Sequence, residues 1–376
     1  MHDGLEGSDP VSGRPGPTLA RELMEGFASS TGLTSSVPPR RYLWTDAFAV
    51  CNYIGLWLAD EDSGDLEMAL GLVSQVHEVL GRHRADDVRS GWLTGLTGEA
   101  ARRHPTAAGL RIGKPLPERA PDERPDPSLE WERDGQYYHY LTKWMHALHR
   151  VGQVSGRPEY HRWAAELGHW AQGAFAHGPP GRRTLYWKLS IDGSRPLVGS
   201  AGHHDPLDGL LTLATVWVEG PAQSRGGESD LRPAMNELLS MCRGRRWATE
   251  DPLGAGGLLV DALRCWKLAD RLPSVGSIAG DVFRDAVASY EALLTSGIRP
   301  ERIVLGGDSA GGGLTMATLL TIRELSMPQP AGAILISPIG DLTTSGASIT
   351  ERADRDPMLS PEILAVHAGH YLQGQD

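Results

Sequence analysis

The spacing of apolar residues changes once along the chain, at Pro273, and the change excludes a single repeated architecture. From Tyr42 to about Leu272, apolar positions such as Phe48, Ile54, Trp57 and Leu58 recur at helical spacing. After Pro273 the order becomes helix, strand, helix, strand. The pattern predicts an amphipathic helix over 280–295, an apolar strand Arg302–Gly306, a helix over 310–325 and a second buried strand Ala333–Ser337. This is α/β grammar, with the two strands parallel. The expected fold class is therefore multi-domain, an all-α helical-hairpin domain over 42–272 followed by a partial α/β segment over 273–376.

In the first domain the helices fall into pairs: 43–60 with 64–83, 132–154 with 158–177, and 206–219 with 229–243, then one near 256–271. Repeated αα-hairpins predict a toroid or solenoid, here a partial one. Pro158 and Pro206 mark helix starts, because the first turn tolerates a missing amide hydrogen, and Asp205 is placed to cap. Residues 84–129, rich in Arg, Pro and Gly, read as a long connection, and 1–41 read as a flexible tail that buries too little apolar surface to order itself. Ser360-Pro361-Glu362 opens a last predicted helix, running to about Leu372.

Composition narrows the partners. With 36 basic against 47 acidic residues the net charge is −11, which repels phosphate backbones and anionic headgroups, so neither nucleic acid nor a membrane surface is expected. No uninterrupted apolar stretch is long enough to span a bilayer, and the N-terminus lacks the basic start and apolar run of an export signal. Cys51, Cys242 and Cys265 are too scattered for a disulfide framework or a zinc site. A cytoplasmic protein without metal or cofactor is the expectation.

The run Gly307-Asp308-Ser309-Ala310-Gly311 satisfies G-x-S-x-G and falls between a predicted strand and a predicted helix. That placement matters because a serine on a sharp strand-to-helix turn projects its hydroxyl over the sheet edge. Glycines on either side remove side chains that would clash, and the Ala310 amide at the helix start can donate to an oxyanion. Asp308 supports the turn. The surrounding strings GDSAGGGLTMATLL, AGAILISPIGDLT, ADRDPMLSPE and HYLQG follow in order, and together they resemble the bacterial hormone-sensitive-lipase family of carboxylesterases.

That resemblance covers roughly the last quarter of the chain, about 279–376. It implies an α/β-hydrolase fold, hydrolysis of short-chain esters through an acyl-enzyme, Ser309 as nucleophile and Ala310 as one oxyanion amide. The family's His-Gly-Gly oxyanion motif has no counterpart here; Gly254-Ala255-Gly256-Gly257 is the nearest run and opens a predicted helix. The resemblance implies a catalytic acid and histidine further beyond the serine than Asp376, so both are expected to be missing, with little or no esterase turnover. Within the chain, His367 and His370 are the replacement bases and Asp341, Asp354 and Asp356 the available carboxylates.

Three stretches of the helical domain put acids, histidines and aromatics at predicted helix starts: Trp44 with Asp46, Tyr138 with His139, and His204 with Asp208. In an α/α toroid such starts face a common funnel, where aromatic rings stack on sugars and carboxylates act as acid and base. In outline the domain is similar to the six-hairpin toroids of carbohydrate-active enzymes and sugar epimerases, which implies a carbohydrate as an alternative to the ester. The same residues also suit a helical core and its interfaces. The remaining alternative is a non-catalytic fusion of two fragments.

Overall fold

The computed structural model describes residues 17–200, 202–221, 230–269, 271–308 and 310–336. Its elements are α1 (Pro17–Ser30), α2 (Leu43–Asp60), α3 (Ser63–Leu80), α4 (Gly98–Arg103), α5 (Pro127–Glu130), β1 (Gln136–Tyr137), α6 (Tyr138–Ser155) and α7 (Pro158–Phe175). There follow β2 (Ala176–His177), β3 (Thr184–Leu185), β4 (Lys188–Leu189), β5 (Pro196–Val198), α8 (Asp205–Glu219), α9 (Arg232–Cys242) and α10 (Pro252–Ala269). The chain continues through α11 (Pro273–Thr295), β6 (Val304–Asp308), α12 (Ala310–Glu324) and β7 (Gly332–Ile336). It divides into two compact units, one of Met1–Pro179, Arg183–Ala201 and Glu219–Ala234, the other of Pro180–Arg182, Gly202–Val218 and Met235–Asp376.

The first unit is built on two helical hairpins. Helix α2 packs on α3, α6 on α7, and α2 on α6. Leu43, Val50 and Ile54 of α2, Leu72 and Val76 of α3, Leu141, Trp144 and Leu148 of α6, and Ala164 and Leu167 of α7 are almost fully buried. Asp62 caps α3 by accepting from the Gly64 amide at 2.9 Å, and Pro158 occupies the first turn of α7.

The structure differs from the sequence expectation at two places in this unit. Within the stretch read as a tail, residues 17–30 are helical, and α1 packs on α2 through buried Met24 and Ala28. The Tyr53 hydroxyl donates to the Met24 carbonyl at 3.0 Å, and Arg21 pairs with Asp65 at 2.6 Å. Residues 132–137, read as helical, instead lead into β1, the edge of a three-stranded antiparallel sheet in the order β1-β4-β5. Gln136 pairs with Leu189, Tyr137 with Lys188, and Lys188 in turn with Val198.

The long connection over 84–129 is tied down by charge. Arg111 donates to the Arg82 and Val79 carbonyls at 2.6 and 2.7 Å and to buried Asp134 at 2.5 Å. Arg89 bridges Asp87, Glu118 and Asp192 at 2.7, 2.5 and 2.8 Å. A loop held by side chains needs no regular ladder to satisfy its backbone.

In the second unit α10 packs on α11, and α12 packs on β6 and β7. The two strands are parallel, in register from Val304 opposite Gly332 to Asp308 opposite Ile336. Tyr290, Leu305 and Ile322 form the core between them, flanked by Leu259, Leu294, Ile303, Leu319 and Met327. The Tyr290 hydroxyl donates to the Pro328 carbonyl at 2.8 Å, which anchors the loop before β7 to α11. Helix α11 begins at Pro273, so the helix expected from 280 extends back to the proline that marks the change of pattern.

Candidate functional site

Strand β6 ends at Asp308 and α12 begins at Ala310. Gly307 and Asp308 close the strand, and Ala310 and Gly311 open the helix. The neighbouring strand β7 runs parallel alongside, opposite Gly307 at Leu335. First-turn amides of a helix have no intrahelical acceptor, so the start of α12 can donate to a developing negative charge. Ser309 itself, and the candidate partners His367, His370, Asp341, Asp354 and Asp356, lie outside the described residues.

The polar-aromatic positions of the first unit sort by burial. Trp44 and His139 are half-buried and their rings meet, with centroids 5.8 Å apart at 67°. Tyr140 joins them, 5.0 Å from Trp44 and 4.7 Å from His139, and its hydroxyl bonds that of Tyr42 at 2.5 Å. Asp46 is turned inward, accepting from the Tyr42 amide at 2.9 Å with Arg41 at 3.6 Å. Burial pushes its carboxyl up to about 7, against the pull of Arg41. Tyr138 is core, edge-on to Phe175 at 5.5 Å.

Sequence reasoning did not pick out Trp187. It sits between Tyr186 and Lys188, just before β4, and its indole Nε1 donates to His139 Nδ1 at 3.1 Å, which leaves the His139 proton on Nε2. Its ring stacks on His139 at 6.0 Å and lies 5.7 Å from Tyr137 and 4.7 Å from Trp131. Only the pairing of β1 with β4 brings these positions together, and two-residue strands leave no period to read.

His204 and Asp208 belong to the second unit. His204 Nε2 donates to the Trp247 carbonyl at 2.7 Å, and burial lowers its pKa. Asp208 accepts from Arg264 at 2.7 Å, and the same guanidinium reaches Asp261 at 3.2 Å and the Thr212 hydroxyl at 2.7 Å. Among the described residues no group of three or more His, Cys, Asp or Glu side chains could hold a metal ion. No helix among them is long and apolar enough to cross a membrane.

A strand that ends and a helix that begins on either side of one position, beside a parallel strand, are the elements that flank a hydrolase nucleophile turn. A family model described as the alpha/beta hydrolase fold matches residues 280–376, so this segment is of the α/β-hydrolase kind. Over 92 residues the chain is 47% identical to an acetyl-hydrolase of Streptomyces hygroscopicus, which covers 24% of this chain and 31% of that protein. Over 83 residues it is 40% identical to an esterase of Acinetobacter venetianus, covering 22% of this chain and 27% of the relative. A solved hormone-sensitive lipase from a metagenome library is 43% identical over 26% of this chain and 33% of its own, with a TM-score of 0.24. The chain thus spans about a third of the length of the curated relatives it matches.

Proposed function

We propose that the protein is a hydrolase of the carboxylic-ester type, with Ser309 as nucleophile and the Ala310 amide as one oxyanion donor. The observation that supports this reading is that Gly307 and Asp308 end β6 and Ala310 and Gly311 open α12, inside the segment that matches the hydrolase model. In that chemistry a base takes the serine proton as Oγ attacks the ester carbonyl, the tetrahedral adduct expels the alcohol with that proton to leave an acyl-enzyme, and water then hydrolyses it to the acid and free serine. His367 and His370 are the proposed bases, with Asp341, Asp354 or Asp356 to orient them, and a short-chain acyl ester is the proposed substrate. The chain has no His-Gly-Gly run, and loss of one oxyanion donor costs roughly 100- to 1,000-fold in rate. Slow turnover belongs to the proposal.

The test is labelling of the purified chain with a fluorophosphonate probe, beside turnover of 4-nitrophenyl acetate. Slow labelling at one site, absent from Ser309→Ala, is the expected result. Equal labelling of both proteins overturns the assignment of Ser309. Rapid acetate turnover that vanishes in Ser309→Ala retains the nucleophile and overturns the slow-turnover clause.

A second reading concerns the helical hairpins, taken as a partial six-hairpin α/α toroid that binds or processes carbohydrate. It is favoured by the gathering of Trp44, His139 and Tyr140, near helix starts, with Trp187 into one group of rings. If both readings fail, a non-catalytic fusion is what remains.

A further inference from the structure

Single apolar side chains on a surface are ordinary, but α2 exposes them in a row. Helices α1, α3 and α6 pack on α2, whose Leu43, Ala47, Val50 and Ile54 are buried. The face left open carries Trp44, Phe48, Cys51, Gly55 and Leu58. Those positions alternate steps of four and three, the spacing of one continuous stripe, and it runs about 21 Å along the helix. Phe48 is 47% and Leu58 54% exposed, Gly55 is exposed, and Trp44 and Cys51 are half-buried.

The stripe is complementary to itself when reversed. Its bulk lies toward the N-terminal end, in Trp44 and Phe48. Its gap lies toward the other, at Gly55, where an added Cβ would meet nothing within 4 Å. Cys51 stands midway, seven residues from Trp44 and seven from Leu58. A twofold axis at Cys51 with the helices antiparallel sets Phe48 into the space over the second copy's Gly55, and Trp44 against its Leu58.

Charge at the two ends agrees with that arrangement. Exposed Arg40 precedes α2, and Lys114 Nζ lies over the Tyr42 ring at 5.6 Å, so the N-terminal end is basic. Glu61 and Asp62 follow the helix and are exposed. Arg40 at the positive end of the helix dipole and Glu61 at the negative end are both unfavourably placed within one chain. An antiparallel copy brings each beside the opposite charge. The net charge of −11 opposes an anionic lipid surface as the occupant. Bulk matched to gap and base matched to acid within one stripe select a second copy over an unrelated chain. A stable dimer buries about 800 Å² on each partner. A stripe about 21 Å long and about 10 Å wide supplies roughly a quarter of that, so the pair is weak and fills at high concentration.

We propose that α2 packs antiparallel on α2 of a second copy of this chain, about a twofold axis at Cys51, with Phe48 seated over Gly55 and Arg40 facing Glu61. Sedimentation velocity of the whole chain at rising concentration tests it, beside cross-linking of thiols with a short bismaleimide. Cys242 and Cys265 are buried, so the reagent reads Cys51. Sedimentation that shifts toward a dimer as concentration rises is expected, with a cross-linked species of doubled mass. Phe48→Asp and Gly55→Gln should lose both. Gly55→Gln removes no contact within the chain and is a better helix former, so its fold survives, as circular dichroism reports. Arg40→Glu should weaken the dimer about tenfold, and adding Glu61→Arg to it should restore the original strength.

A monomer at every concentration, without cross-link, overturns the proposal. If Cys51 of that monomer also resists N-ethylmaleimide until urea is added, another part of the same chain is the occupant. A dimer that survives both Phe48→Asp and Gly55→Gln overturns the location. A dimer lost in those variants, but with no Cys51 cross-link and no rescue by the charge exchange, overturns the antiparallel arrangement.

Discussion

Three buried titratable groups in the first unit pull the pH dependence of stability in opposite directions. His77 Nε2 accepts from the Trp144 indole at 3.2 Å, and burial lowers its pKa from 6.5 to about 3. His161 bonds His149 through their Nδ1 atoms at 3.2 Å, and burial with the neighbouring imidazole lowers it from 6.5 to about 4. Below 6.5 the unfolded chain therefore binds protons that the native imidazoles refuse, and stability falls with falling pH until their native values are reached. Asp46, raised from 3.8 to about 7, acts the other way, since the native state holds a proton that the unfolded chain releases. Two imidazoles outweigh one carboxyl, so the urea midpoint should drop between about pH 6.5 and 4. In Asp46→Asn the drop should be steeper, and an unchanged one would show that Asp46 ionises normally.

Glycine 109 makes a second prediction at this scale. Its φ is +77°, and a Cβ there would collide with the side chains of Gln136 and Trp170. Those two are bonded, Trp170 Nε1 to Gln136 Oε1 at 3.1 Å, and Gln136 Nε2 donates to the Ile191 carbonyl at 2.8 Å. Gly109→Ala should cost about 3 kcal/mol, part from left-handed backbone and part from displaced hydrogen bonds. A cost near zero in urea unfolding would mean that the loop moves freely.

Elements with strong punctuation were legible in the sequence, and those set by contacts distant along the chain were not. Pro158 and Pro206 announce α7 and α8 because a first-turn proline loses no hydrogen bond there, whereas α11 is expected only from 280 and begins at Pro273. The glycines of the serine motif announce the strand-to-helix turn. By contrast β1, β4 and β5 are two or three residues long, and the pairing of β1 with β4 joins positions some fifty residues apart. The aromatic group around Trp187 depends on that pairing, so helix-start reasoning found Trp44 and His139 but not Trp187. In α12, Ile322 is fully buried against Tyr290 and Leu305. Ile322→Ala should destabilise this part by about 2–5 kcal/mol. Amide exchange along α12 is the measurement, and unchanged protection would show that the three-residue core contributes little.

At the scale of the whole molecule the two units differ in how completely their elements are covered. The hairpins α2–α3 and α6–α7 each bury a continuous stripe, with Leu43, Leu72, Leu141 and Leu167 at or near zero exposure. Parallel strands normally have helices on both faces, yet Val304 is 55% and Ile334 58% exposed on the β6–β7 pair. Leu320 and Leu325, near the end of α12, are 45% and 60% exposed. Opening this pair therefore uncovers little additional apolar surface, and segments of that kind open most readily. The sequence pattern predicts first cleavage anywhere in 273–376; the packing of α11 on α10 narrows that, because Pro273–Thr295 is held along its length by its neighbour. Limited proteolysis should then cut first C-terminal to Thr295, leave α11 attached to α10, and spare α2, α3, α6 and α7 longest. Mass spectrometry of the early fragments reads the order. First cuts within 43–80 or 138–175 would place the weakest cooperative unit among the hairpins, and the argument from strand coverage would fail.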